Sequence, residues 1–188
     1  MVYKERTFAK QAVFYSLTKQ NCILFVLCLS ALLSALLVGC GSKGGSDTEG
    51  VLPAGTNLED LYAEGMDALY QTYPDAQDNI KMLPDSMDFM ASYCPGIEAY
   101  QYKQSVIYLH PVTGAACEVL LFELENSDDV NAVKTILQSH IDERANDTGY
   151  PETAAQWKNN AKVTSSGSFV FLAVFPDSYA LPAQFILE

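Results

Sequence analysis

Basic side chains are scarce in this sequence: 11 lysines and arginines stand against 23 aspartates and glutamates, for a formal charge of −12. Histidine is scarcer still, with His110 and His140 alone. Neither has a partner at the spacing a helical metal site needs, so both read as boundary histidines. The excess of acid makes DNA, RNA and a bare anionic lipid surface poor partners, because like charges repel. Other absences narrow the chemistry further. No glycine-x-serine-x-glycine elbow is present, so the hydroxyl-rich "TSSGS" at 164–168 reads as a hairpin turn. No phosphate-cradling glycine loop precedes a helix, since Gly41, Gly44 and Gly45 fall in a tether. No span has the alternating aspartates, glycine and terminal glutamate of a calcium loop. The carboxylates Asp75 with Asp78, Asp85 with Asp88, and Glu123 with Glu125 therefore read as solvated surface.

What is present is unevenly spread. Met1 to Asn21 is polar and basic, and Cys22 to Gly39, "CILFVLCLSALLSALLVG", is an uncharged run of eighteen residues. That run can be a cleaved secretory signal, a retained membrane helix, or a signal that ends in lipidation of a cysteine. Its end, Leu37-Val38-Gly39-Cys40, resembles the bacterial lipobox. The resemblance implies a diacylglycerol thioether on Cys40 and cleavage after Gly39. The expected organisation is then a signal peptide over 1–39, a lipidated flexible tether over 40–55, and one extracytoplasmic domain over 56–188. Two acyl chains give stable anchoring where one does not. The tether, "GSKGGSDTEGVLPAGT", spans on the order of 20 Å, which holds the domain at the outer face of the cytoplasmic membrane. Covalent diacylglycerol apart, no cofactor is expected. The first forty residues hold Lys4, Arg6, Lys10 and Lys19 against Glu5, so they carry +3 and leave −15 for the rest.

Of five cysteines, Cys22 and Cys28 lie in the segment expected to be removed, and Cys40 is the lipid site. Cys94 and Cys117 remain. A disulfide between them is permitted outside the membrane, but Cys117 falls in an apolar strand pattern, where a free cysteine acts as a small hydrophobe.

Periodicity organises the domain. A capping-box pattern, Thr56 to Glu59, opens a helix carrying Leu58, Leu61, Tyr62, Met66, Leu69, Tyr70 and Tyr73, and Pro74 ends it. Short helical turns are expected around Asn79–Met82 and Ser86–Tyr93. A strand over Glu98–His110 and a second over Ala116–Glu125 follow. In the second, Leu120, Phe122 and Leu124 take one face and Cys117, Val119 and Leu121 the other, so it is central. Asn126 or Ser127 caps the next helix, whose stripe is Val130, Val133, Ile136, Leu137 and Ile141. A helical turn near Thr153–Lys158, a short strand from Ala161, the buried strand Phe169–Phe175 and a final helix with Leu181, Phe185, Ile186 and Leu187 complete the chain. The expectation is an α+β fold: an antiparallel four-stranded sheet with helices on one face, two strand–strand–helix units, preceded by an N-terminal helix.

The stretches "AACEVLLFELENSDDVNAVKTILQSHIDER", "GYP" and "NNAKVTSSGSFVFLAVFPD" resemble a family of Gram-positive bacterial lipoproteins known as a domain of unknown function (number 4358). They carry an alanine-x-glutamate strand, an aspartate-valine-x-x-valine helix ending in arginine, and a glycine hairpin before an apolar strand. The resemblance implies no catalytic residues.

One surface feature invites function. Tyr100, Tyr102, Val106 and Tyr108 fall on one face of a regular strand. The tyrosines can stack on a partner, or serve as a core face or an edge cover. Trp157 can join them or pin its own short helix. The expectation is a non-enzymatic binding or scaffolding module with a protein or cell-wall partner, touching the membrane only through its lipid. The alternative is a cell-envelope hydrolase using carboxylates that the fold brings together.

Overall fold

The computed structural model describes residues 52–53, 55–112 and 114–188. Helix α1, Leu58–Thr72, is capped by Asn57, whose side chain accepts from the backbone N–H of Glu59 and Asp60. The cap thus lies one residue beyond Thr56, whose hydroxyl donates instead to the Pro53 carbonyl. A short helix α2, Ala76–Asn79, follows Pro74. Two residues, Leu83–Pro84, then form strand β1, and Ser86 caps helix α3, Met87–Tyr93.

The sheet comes next. Strand β2 is Tyr102–Leu109 and β3 is Glu118–Leu124. Helix α4, Val130–Ala145, is entered through a 3₁₀ turn at Ser127–Asp129, where Asn126 accepts from the Asp128 N–H. Helix α5, Pro151–Asn160, takes a proline in its first turn, where no N–H is needed. Strands β4, Lys162–Ser166, and β5, Phe169–Val174, close a hairpin in which Gly167 supplies φ +59°, as a tight two-residue turn demands.

All pairings are antiparallel, and the strand order is β1-β2-β3-β5-β4. Among the described residues the sheet has five strands rather than four. The added one, β1, is too short to carry an alternating pattern. Apolar residues on both faces put β3 and β5 inside the sheet, and both are flanked on each side.

Helices cover both faces, not one. On the first face α3, α4 and α5 pack Met90, Val133, Leu137, Ile141 and Trp157 against Leu120, Phe122, Val170 and Leu172. On the second, α1 and the C-terminal segment pack Leu58, Met66, Leu69 and Phe185 against Val119, Leu121, Phe171 and Ala173. The second strand–strand unit is not followed by an α-helix. Pro182 is extended, a 3₁₀ turn covers only Ala183–Phe185, and Phe185 and Leu187, two residues apart, both bury. That spacing belongs to extended chain, not to a helical stripe. Cys94 and Cys117 are free and lie in opposite cores, so the sheet itself keeps a disulfide from forming.

Candidate functional site

Strand β3 begins with a charged residue inside an otherwise apolar run. Glu118 lies between Leu109 of β2 and Val174 of β5 and is 1% exposed. Burying a lone carboxylate is costly, and such groups are found paired. Its partner is His140, 3% exposed on the inner side of α4, with Nε2 at 3.1 Å from Oε1. The other oxygen, Oε2, accepts from the Tyr93 hydroxyl at 3.0 Å. An ionised carboxylate only accepts, so Nε2 of His140 then carries the shared proton. His140 is therefore no boundary histidine. It lies beside Ile141 at the edge of the apolar stripe, and the carboxylate that draws it inward comes from a different element.

Aromatic and cationic groups close around this pair. The Arg144 guanidinium, one turn beyond His140, stands 4.5 Å from the centroid of the Tyr93 ring, a cation–π contact. The Tyr93 and His140 rings meet at a tilt with centroids 4.9 Å apart, and Trp157 meets His140 edge-on at 5.5 Å. Trp157 is thus a core residue that pins α5. Among the described residues, Arg144 Nε and Trp157 Nε1 are buried donors without a hydrogen-bond partner. Burial pushes the Tyr93 phenol up, the Glu118 charge adds to this, and Arg144 opposes it. Burial, then Glu118, pushes the Cys94 thiol up to about 12, and the same two causes push Cys117 to about 12. Neither sulfur has the thiolate character of a nucleophile.

The cluster lies between two surface depressions. The first, of about 310 Å³, is lined by Leu83, Pro84, Asp85, Phe89, Tyr93 and His110, among others. The second, of about 270 Å³, includes Cys94, Ile136, Ser139, His140 and Glu143. Tyr93 thus borders one and His140 the other. Leu83 is 58% exposed, Phe89 38%, and Val112, which follows Pro111 of the first groove, 64%.

The tyrosine row does not survive as a row. Register shifts between Tyr102 and Gln104, and this bulge turns the strand over. Tyr100 and Tyr102 pack against the first core, and Tyr108 against the second. Tyr102 donates to the Ile97 carbonyl at 2.6 Å, and Tyr108 stacks on Tyr62 at 3.7 Å. Of the expected carboxylate pairs, Asp85 shares the lining of the first groove with Tyr93. Asp75 accepts from Tyr179 and Asn79, and Glu123 from Lys103 and Gln104. His110 takes the Val112 N–H on Nδ1. Among the described residues, no group of three or more His, Cys, Asp or Glu is placed to hold a metal. No helix of the described residues is long and apolar enough to cross a membrane. Leu37, Val38, Gly39 and Cys40 lie outside the described residues.

Strand order, two helical layers and a buried Glu–His pair joined by the half-buried Tyr93 define an α+β domain with a polar centre. The pattern of a family described as Domain of unknown function (DUF4358) matches residues 75–175, more than half of the chain, and the chain belongs to that family. The match takes in all five strands and α2 to α5, with Tyr93, Glu118, His140 and Arg144, and leaves out α1 and the C-terminal turn. No curated protein and no solved structure matches the chain.

Proposed function

We propose that this chain is a lipid-anchored lipoprotein on the outer side of the cytoplasmic membrane, whose domain binds a protein or wall component and does not catalyse. The observation that carries the binding reading is the gathering of exposed apolar side chains. Leu83 and Phe89 line the first groove and Val112 adjoins it, while Tyr150 is the other large hydrophobe exposed among the described residues. Exposed apolar surface of this kind marks contact sites. The titratable groups beneath the groove are engaged with one another: Tyr93, Glu118 and His140 form a closed series. The lipobox at Leu37 to Cys40 supports the anchor. The first groove takes over from Tyr100, Tyr102 and Tyr108 as the contact surface, since packing occupies those rings. The hydrolase reading calls for two carboxylates facing one cleft, and Asp85 is the single carboxylate lining this groove among the described residues.

The test is photo-cross-linking in the native membrane. A photoreactive residue at position 83 should trap a partner, and Phe89→Ser in the same chain should abolish the product while leaving the circular dichroism unchanged. Hydrolysis of wall fragments or peptides by purified protein, lost in Asp85→Asn, would overturn the reading.

A further inference from the structure

We infer that the groove between β1 and α3 takes a short peptide segment that pairs an apolar side chain with a lysine or arginine. The inference rests on the binding reading above and names the partner's chemistry. Three features carry it. Apolar side chains form about half of its lining: Phe89 stacks on Tyr93 at 5.3 Å, and Leu83, Pro84 and Pro111 border them. The volume, about 310 Å³, is at the small end of ligand sites and suits one or two side chains rather than a large metabolite. Charge then selects among apolar partners. Asp85 stands exposed in the lining, no lysine or arginine among the described residues lines the groove, and the chain beyond residue 40 carries −15.

One Asp85 oxygen, Oδ1, accepts from the Ser86 N–H at 2.8 Å. That fixes the carboxylate at the entrance to α3 and leaves Oδ2 for an incoming cation. The mode is side-chain docking, not strand addition. Leu83 and Asp85 direct their backbone toward β2, as the Asp85 N–H to Ile107 carbonyl bond at 2.9 Å shows. Pro84, whose backbone faces outward, has no N–H to offer a new strand.

The probe is a fluorescein-labelled, amidated hexapeptide alternating leucine and arginine, titrated by anisotropy into the full chain in nonionic detergent. Two control peptides replace arginine with glutamate or leucine with serine. The leucine–arginine peptide should bind saturably and both controls should fail. Asp85→Asn keeps the Ser86 contact and should weaken binding about three- to five-fold at low salt, with the difference fading near 0.5 M salt. Leu83→Ser should weaken it about ten-fold. Glu64→Gln, the same charge change on α1, should have no effect. Equal binding of the glutamate peptide, or equal loss in Glu64→Gln, overturns the partner's charge. If Leu83→Ser still matters in that case, the groove stands as a contact surface. Indifference of every peptide to Leu83→Ser overturns both.

Discussion

Glu118 and His140 illustrate how one buried charge organises its neighbours. With His140→Ala the carboxylate keeps only the Tyr93 hydroxyl, so the variant should lose about 3–5 kcal/mol of stability in urea unfolding. Replacing both residues by leucine should cost less than either single change, because no charge is then left unpaired. Additive losses would show that the two groups are not coupled. The thiols set a pH limit. Burial raises Cys94 and Cys117 from 9.0 to about 12, so the unfolded chain releases those protons first. Stability is fully present below pH 9.0 and falls as pH rises toward 12. Tyr62 and Tyr93, also raised by burial, act in the same sense at higher pH. A Cys94→Ala, Cys117→Ala chain should therefore keep a larger share of its neutral-pH stability at about pH 10.5 than the parent. Matching pH profiles would refute the assignment. The signal for this centre was in the sequence. Glu118 interrupts an apolar strand and Arg144 ends the next helix. Its meaning was not, since Tyr93 and His140 join only when α3 and α4 meet over the sheet.

Elements were legible in proportion to their length and period. Strands β3 and β5 follow from unbroken apolar runs, and helices α1 and α4 from helically spaced apolar residues. The β4–β5 turn follows from the serines around Gly167. Strand β1 has two residues and no period. The bulge at Lys103 leaves the tyrosine alternation intact on paper while reversing it in space. The expected final helix does not form: Phe185, Ile186 and Leu187 fit either period, and packing of Phe185 over Gly65 favours the extended chain. A methyl group on Gly65 would stand 2.4 Å from the Phe185 ring, so Gly65→Ala should cost about 1–3 kcal/mol in thermal unfolding. An unchanged midpoint would mean the turn detaches at little loss. In β5, Leu172→Asp would place an unpaired charge between two strands and should prevent folding. Soluble, cooperatively unfolding protein would contradict the sheet order.

For the whole molecule, the family match covers the sheet, the first helical layer and α2, while α1 and the C-terminal turn, the rest of the second layer, lie outside it. Gln104 ties that second layer to the sheet. It accepts the Leu58 N–H at 3.0 Å, and its amide donates to the Thr56 carbonyl at 2.8 Å and to Glu123 at 2.9 Å. If the proposed anchor is correct, Cys40→Ser should abolish the acylated species in intact-mass analysis of membranes. Native protein with residues 1–39 still attached would refute lipidation there.

Among the described residues each core holds one buried thiol, Cys94 on one side of the sheet and Cys117 on the other. The molecule thus has a built-in clock for each half. Under a thiol-reactive dye, modification of either sulfur times the opening of its own layer. Two different rates would reveal that one layer breathes while the other stays shut. A single shared rate would mean the domain opens only as a unit.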